Sequence, residues 1–320
     1  MRPGTAGPLE PEHPAVPAPP SPRVDRRPIG TRPKVAIVAL AVLTIVALIG
    51  GVVLDTDAQA ATRTPGLGPQ GRQAQFRVEC GLSHSATDDP IVHFGHEGAS
   101  HLHDFFGNTT TDADSTLSSL LAGDTTCQQK LDTAAYWAPA LFADGEKVDP
   151  NVSVAYYRPG LLVDPATVQP FPPGLVVVAG DSTATSPQPV AVAAWHCGSS
   201  PVLTAEPPDC PPTSMLAMRI AFPDCWDGAN LDSDDHQAHM DYSRAGRCPS
   251  SHPEPVPQLV FDIHYPISGT GNTLYLASGS TLSAHADFMN AWDQDKLEQE
   301  VRVCLNAGRI CGVVSGRATG

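Results

Sequence analysis

The stretch QLVFDIHY, residues 258–265, alternates apolar and polar side chains with the period of a β-strand. Because successive side chains point to opposite faces of a strand, one face is apolar and consists of Leu259, Phe261, Ile263 and Tyr265. The opposite face presents Asp262 and His264. The stretch therefore predicts a half-buried strand that packs one face on a core.

Three further segments read as strands, namely 152–157, 174–179 and 216–222. Only residues 293–305 show a helical period, with apolar side chains every four residues at Leu297, Val301 and Leu305. The 33 prolines and 27 glycines punctuate the segments between. We expect a mainly β, disulfide-bonded, sandwich-like domain with long irregular loops and one C-terminal helix.

A run of twenty uncharged, mostly apolar residues, 35–54, lies ahead of this domain. Twenty helical residues rise about 30 Å, the thickness of the apolar part of a bilayer. Basic side chains precede the run, and Asp55 and Asp57 follow it. The positive-inside rule predicts a single transmembrane helix with the N-terminus in the cytoplasm and the following domain outside.

The chain then divides into five predicted parts. They are a disordered Pro/Arg-rich cytoplasmic tail (1–34), a transmembrane signal anchor or uncleaved signal (35–54), a linker (55–77), an exported domain (78–312) and a flexible tail (313–320). Ala58-Gln59-Ala60 has the form of a signal-peptidase site, so secretion after cleavage following Ala60 is the alternative to membrane anchoring.

Charge limits the partners of the exported part. The whole chain carries a formal charge of -15. Residues 1–34 contain six basic and three acidic side chains, so the rest of the chain carries -18. An acidic domain repels nucleic acid, which we exclude as a partner. The membrane, reached through one N-terminal helix, and a cell-wall polysaccharide are the expected partners.

Eight cysteines occur, and all follow the apolar run: Cys80, Cys127, Cys197, Cys210, Cys225, Cys248, Cys304 and Cys311. An even count on the exported side of a membrane predicts four disulfides. Spacing alone does not choose among the 105 pairings that eight cysteines allow. We expect each cysteine to pair with its neighbour along the chain, with Cys225–Cys248 and Cys304–Cys311 as the leading pairs.

Histidines cluster with carboxylates in several motifs. His101 and His103 share one face if the HLHD motif is extended. His236 and His239 are neighbours at i, i+3 on a helical turn. His285 and Asp287 form a third motif. We expect these six side chains to converge on one polar cleft that holds a metal ion, because burying neutral imidazoles costs free energy unless they are hydrogen-bonded or act as ligands.

Two other interpretations stay open. Each histidine motif is also compatible with a hydrogen-bonded structural role, and Asp262 with His264 is a fourth candidate pair. The acidic run 224–235 offers oxygen ligands to calcium but lacks the glycine placement of an EF-hand loop. Imidazole ligands favour zinc or copper over calcium.

Six ordered motifs resemble one known family. They are HLHDFFGN (101–108), AAYWAPALF (134–142), AYYRPG (155–160), IAFPDCWDGANLDSDDHQAHMDY (220–242), CPSSHPEPVPQLVFDIHY (248–265) and HADFMNAWD (285–293). The chain resembles the domain-of-unknown-function family numbered nineteen ninety-six, a family of exported bacterial and fungal domains, over about 78–312. The resemblance implies no activity. It places the motif histidines, together with Asp287, Trp226 and Asp227, among the characteristic positions of the family, and so implies that Trp226 and Asp227 bind a ligand.

Two functions follow as hypotheses. One is a cell-envelope or extracellular protein that binds polysaccharide or another surface component through the His/Asp-rich cleft. The other is a metal-assisted or carboxylate-driven hydrolase that acts on envelope polymers. Convergence of the histidine motifs on one open cleft would favour the second, whereas local hydrogen bonds at each motif would favour a structural role.

Overall fold

A computed structural model describes residues 73–198 and 200–314. Seventeen strands lie in this part of the chain: β1 Gln75–Cys80, β2 Leu82–Ala86, β3 His103–Gly107, β4 Ala135–Pro139, β5 Leu141–Ala143, β6 Glu146–Val148, β7 Val152–Arg158, β8 Val176–Gly180, β9 Ala193–Cys197, β10 Leu216–Ala221, β11 Cys225–Trp226, β12 Met240–Asp241, β13 Glu254–Pro255, β14 Gln258–Tyr265, β15 Leu274–Leu276, β16 His285–Met289 and β17 Ile310–Val313. Two α-helices accompany them, α1 Leu117–Leu121 and α2 Gln294–Glu300.

Two sheets contain most of the strands. The six-stranded sheet has the order β17-β1-β7-β14-β10-β9, and the five-stranded sheet has the order β2-β3-β4-β16-β8. Two three-stranded sheets, β12-β11-β13 and β15-β5-β6, complete the described part. The described domain is therefore mainly β, as the sequence predicts.

The two large sheets share one apolar core. Phe261 of β14, in the six-stranded sheet, lies 5.5 Å from Phe106 of β3 and 5.4 Å from Tyr136 of β4, measured between ring centroids. Phe76, Tyr157 and Phe288 belong to the same buried cluster. Alternation along each strand sends these rings to the shared side.

The strand predicted at 258–265 is β14. Leu259, Phe261, Ile263 and Tyr265 are all buried, as predicted. Its polar face differs from the prediction, because Asp262 is also buried, at 1 % exposure. Arg219 of the neighbouring strand covers this carboxylate with two hydrogen bonds, which alternation along a single strand does not reveal.

Replacing Phe261 by Ala is expected to lower the free energy of unfolding by about 3–5 kcal/mol, because it opens a cavity between the two sheets. Urea unfolding of the full-length protein in detergent measures the change. The control is Tyr275→Ala, since Tyr275 is 38 % exposed and a surface change of this kind costs less than about 1 kcal/mol. Equal effects of the two changes would contradict a core shared by both sheets.

The helix predicted at 293–305 is α2 followed by a π-helical turn, Val301–Asn306. Asp293 begins α2 by accepting a hydrogen bond from the backbone N–H of Lys296 at 2.9 Å. Leu297, Val301 and Leu305 are buried in the shared core. The short helix α1 was not predicted, since it has five residues and buries only Leu120.

Four disulfides join cysteines that are neighbours along the chain: Cys80–Cys127, Cys197–Cys210, Cys225–Cys248 and Cys304–Cys311. No cysteine is free. The predicted sequential pairing is confirmed.

The ends of the domain differ from the predicted boundaries. Strand β1 begins at Gln75, so residues 75–77 belong to the first sheet and not to the linker 55–77. At the other end, β17 continues to Val313, and the N–H of Val314 donates to the carbonyl of Arg77 at 2.9 Å. Pairing with β1 therefore brings residues 313 and 314 into the domain, whereas we placed them in the flexible tail.

Within residues 73–198 and 200–314, no helix has the length and apolar character that crossing a bilayer requires. The predicted transmembrane segment, 35–54, and the tail 1–34 lie outside the described residues.

Candidate metal centre

Two strands bring His103 and His285 to the same end of the five-stranded sheet. Strand β4 lies between β3 and β16 and is antiparallel to both, so β3 and β16 run in the same direction. His103 begins β3 and pairs with Pro139, and Asp287 pairs with Trp137, two residues earlier in β4. The register therefore places His285, two residues before Asp287, at the level of His103.

His101 completes a group of three imidazoles. Its ring centroid lies 4.2 Å from that of His103 and 5.0 Å from that of His285. One ring nitrogen of each residue lies within 4.8 Å of the others. A zinc–nitrogen bond is about 2.0–2.1 Å long, so nitrogens at this separation fit around one ion.

Hydrogen bonds select the tautomer of two of these rings. Nδ1 of His103 lies 2.9 Å from the carbonyl of Asp88, and Nδ1 of His285 lies 2.8 Å from the carbonyl of Ser283. A carbonyl only accepts, so each Nδ1 carries the proton and each Nε2 carries a lone pair. Metal-binding histidines commonly use this arrangement.

Two of these imidazoles keep a ring nitrogen without a partner in the described part of the chain. Nε2 of His101 and Nε2 of His103 are buried and accept no hydrogen bond from the described residues. Burial lowers the pKa of all three imidazoles. The pKa of His101 is lowered, the pKa of His103 lies well below its ordinary value, and the pKa of His285 is about 4. All three imidazoles are therefore neutral near pH 7 and available as ligands.

Two carboxyl groups adjoin His103. Asp89 and Asp287 each place one oxygen within 4.8 Å of a His103 ring nitrogen and of each other. Oδ1 of Asp89 accepts from the backbone N–H groups of Ile91 and Val92, both at 3.0 Å. Oδ2 of Asp287 is buried without a partner in the described part of the chain. Burial is the main cause that raises the pKa of both carboxyls.

The histidine group opens onto a cavity of about 520 Å³. Its buried lining includes His285 and Asp287, and its exposed lining includes Asp181 and Asp235. Gly180, on the neighbouring strand β8, pairs with His285. A Cβ at Gly180 would lie 2.6 Å from the carbonyl of Ala284, so glycine permits this close approach. A second cavity, of about 350 Å³, adjoins the first, since the two share four lining residues.

Four of the six predicted metal ligands belong to the histidine group or to the carboxyls beside it, namely His101, His103, His285 and Asp287. His236 also lines the cavity but lies outside the group of three imidazoles, and its Nδ1 pairs with Asp232 at 3.0 Å.

His239 has a structural role. Its Nδ1 lies 2.9 Å from Oγ of Ser233, and its Nε2 lies 2.8 Å from the carbonyl of Val176. Both nitrogens are therefore engaged, and the predicted ligand role of His239 does not fit this geometry.

Trp226 and Asp227 do not line the cavity. The indole N–H of Trp226 donates to the carbonyl of Asn230 at 2.6 Å. The Asp227 carboxylate accepts the backbone N–H groups of Ala229 and Asn230. In the run 224–235, Asp235 likewise accepts backbone N–H groups of its own turn, so these oxygens stabilise loops.

Asp89 is the functional candidate that sequence reasoning missed. It stands fourteen residues before His103 and carries no motif of its own. No sequence signal identified it, because its place beside His103 depends on the path of a loop. The preceding residue, Asp88, orients His103 through its backbone carbonyl, which any residue type provides.

Fold and site define a disulfide-bonded, mainly β domain with a cavity lined by histidine and aspartate. Residues 89–292 match the model of the family described as "Domain of unknown function (DUF1996)". This match covers more than half of the chain, so the chain belongs to that family. It includes the three imidazoles and both carboxyls of the histidine group. No curated protein and no solved structure matches the chain.

Proposed function

We propose that the domain is a metal-dependent hydrolase that acts on a polymer of the cell envelope. The observation that carries the proposal is the group His101, His103 and His285, whose ring nitrogens lie within 4.8 Å of one another beside an open cavity. Three histidine ligands with one position left open to solvent are typical of catalytic zinc sites.

His101, His103 and His285 would hold the zinc ion, which would lower the pKa of a bound water to about 7 and polarise the bond to be cleaved. Asp287 and Asp89 stand beside His103, where either carboxylate accepts a proton during attack on the substrate. A nearby cation favours the ionised form of these carboxyls, which opposes the effect of their burial. Zinc suits hydrolysis better than copper because it has no redox chemistry.

The shape and charge of the two adjoining cavities support a polymeric substrate. The cavity at the histidines adjoins the second cavity, which Asp241 and Tyr242 help to line. Asp181 and Asp235 add exposed carboxylates near the histidines. Acidic cavities repel anionic chains, so a neutral or amine-bearing polysaccharide is the substrate class that fits.

Polysaccharide binding without turnover is the second candidate, and the two adjoining cavities support it equally well. The tryptophans do not add support for polysaccharide binding by stacking on sugar rings. Trp137, Trp195 and Trp292 are buried in the core, and the indole N–H of Trp226 is hydrogen-bonded within its own turn.

Four disulfides favour an oxidising compartment and so support a position outside the cytoplasm. We propose that residues 35–54 anchor the domain to the outer face of the membrane, and secretion after Ala60 stays as the alternative.

The test uses hexamers of glucosamine and N-acetylglucosamine with zinc-loaded full-length protein, and mass spectrometry detects the products. We expect zinc-dependent cleavage. Asp287→Asn is expected to lower kcat by about 10²–10⁴-fold, the usual contribution of a general base. Asn has the shape of a neutral carboxyl, so the variant should fold.

The control is His252→Ala, because His252 is outside the cavity and bonds the carbonyl of Ala238. It should leave turnover unchanged. Binding of the hexamers without cleavage would select the second candidate, and neither binding nor cleavage would contradict the proposed substrate class.

A further inference from the structure

A separate cavity of about 420 Å³ lies on the six-stranded sheet. Its polar lining residues come from four strands and include Gln75, Tyr156, Arg158, Arg219, Asp262 and His264. Phe76, Tyr157 and Phe261, their neighbours along the strands, face the shared core. Alternation along the strands therefore places this cavity on the opposite face of the sheet.

One of its two arginines is neutralised. Nε of Arg219 lies 2.6 Å from Oδ1 of Asp262, and a terminal guanidinium nitrogen lies 2.6 Å from Oδ2. Nε2 of His196 lies 3.5 Å from the same Oδ2. Although burial opposes ionisation, Arg219 and His196 hold the pKa of Asp262 below its ordinary value. The Asp262 charge is thus matched by Arg219.

Arg158 has no such partner. No carboxylate oxygen of the described residues lies within 4.0 Å of its guanidinium, and its Nε is buried without a hydrogen bond. Burial, followed by the nearby Arg219, lowers the pKa of Arg158 to about 10, which leaves it cationic at neutral pH. Asp262 and Asp224 act on Arg158 from a longer distance and oppose this shift. The lining of the cavity therefore carries two guanidinium groups and one carboxylate, in a chain whose net charge is -15.

We propose that this cavity binds a carboxylate-bearing ligand about the size of one sugar ring, a hexuronic acid, with Arg158 as its charge partner. A guanidinium presents a planar pair of N–H donors that matches a carboxylate. Cavities of roughly 300–1,000 Å³ hold ligands of small-molecule size, so a volume of about 420 Å³ accommodates a ring as well as its carboxylate.

Other polar groups fit the rest of such a ligand. Gln75 and Tyr156 supply an amide and a hydroxyl for hydrogen bonds to sugar hydroxyl groups. Nδ1 of His264 is buried without a partner among the described residues. This site is independent of the histidine group and of the proposed hydrolysis, because the two cavities share no lining residue.

The test is calorimetric titration of full-length protein with sodium glucuronate, at pH 7 and constant ionic strength. A polyoxyethylene detergent keeps sugar detergents out of the experiment. The neutral comparison ligands are glucose and the methyl ester of glucuronic acid, in which the carboxyl group carries no charge. We expect glucuronate to bind and both neutral sugars to bind at least about tenfold more weakly, because a hydrogen-bonded ion pair is lost.

Arg158→Gln is expected to weaken glucuronate binding by at least about tenfold. The matched control is Arg244→Gln, which removes the same charge at an exposed residue that pairs with Asp241 and does not line the cavity. Binding by the control should stay within about twofold of the unchanged protein. Should Arg158→Gln fail to fold, Arg158→Lys keeps the charge, loses the planar donors and is also expected to weaken binding.

Absence of glucuronate binding would overturn the proposal. So would equal losses in the Arg158 and Arg244 variants, since that result indicates general attraction to basic side chains. Acetate that binds as tightly as glucuronate would overturn the assignment of a ring-sized ligand. The double change His101→Ala with His103→Ala should not alter glucuronate binding, which separates this site from the proposed hydrolase.

Discussion

Full-length protein is expected to bind about one zinc ion per chain, and the double variant His101→Ala, His103→Ala is expected to bind none at the same zinc concentration. Even changes to residues that only orient metal ligands cost about 10–100-fold in metal affinity, so loss of two ligands should cost more than about a hundredfold. Elemental analysis after removal of free metal measures the stoichiometry.

Stability provides a second readout of the same change. A ligand that binds only the folded state stabilises it, by about 2.7 kcal/mol at a hundred times Kd. Zinc should therefore raise the Tm of the unchanged protein and of the His252→Ala control, and should not raise that of the double variant. A double variant that unfolds, together with unchanged protein that holds no zinc, would instead establish a structural role for these histidines.

Asp132 is expected to make the domain less stable as the pH rises. Burial raises the pKa of this carboxyl from 3.8 to about 8 in the folded protein. The folded state thus holds the proton more tightly than the unfolded state. The resulting stabilisation is fully present below about pH 4 and is lost as the pH rises through about 8. Since one pKa unit corresponds to about 1.4 kcal/mol, the loss is on the order of 5 kcal/mol.

The contacts of Asp132 explain why it is held in place. The Tyr136 hydroxyl donates to Oδ2 of Asp132 at 2.8 Å, and the Ala134 N–H donates to Oδ1 at 3.1 Å. The Tyr136 and Tyr157 hydroxyl oxygens lie 2.5 Å apart, and the Trp292 indole N–H donates to Tyr157 at 3.0 Å. This chain of hydrogen bonds crosses the core between the two large sheets.

Asp132→Asn should therefore flatten the pH dependence. Asn has the shape of the neutral carboxyl and carries no charge to bury, so the variant should exceed the unchanged protein in stability at pH 8 by several kcal/mol. Denaturant unfolding of both proteins at intervals from pH 4 to pH 8 measures the difference in their stability. The other buried carboxyls are present in both proteins, so this difference reports the contribution of Asp132 alone. Asp124→Asn is the matched control because Asp124 is exposed. Parallel curves for all three proteins would contradict a buried, neutral Asp132.

Local patterns predicted much of the fold. Alternation along 258–265 identified β14, and the four-residue period of Leu297, Val301 and Leu305 identified the C-terminal helix. Both signals arise from burial of one face, which a periodic sequence records directly. The prediction that each cysteine pairs with its neighbour along the chain was also correct. The paired cysteines are separated by 7 to 47 residues.

The site was only partly predictable, because its geometry depends on strand order. His103 and His285 stand 182 residues apart and meet because β4 separates two parallel strands at matching register. Asp89 reaches the same place from a loop without periodicity. Conversely, His239 belongs to a motif that resembles the others, but both of its ring nitrogens are hydrogen-bonded, one to Ser233 and one to Val176. Sequence spacing does not reveal these contacts.

Anomalous diffraction at the zinc absorption edge, from crystals of the protein prepared with zinc, locates the metal directly. We expect one strong peak about 2.0–2.1 Å from a ring nitrogen of each of His101, His103 and His285, on the side that faces the cavity. A peak at His236, at His239 or in the acidic run 224–235 with none at these three imidazoles would rule out a metal centre at the histidine group, as would the absence of any peak.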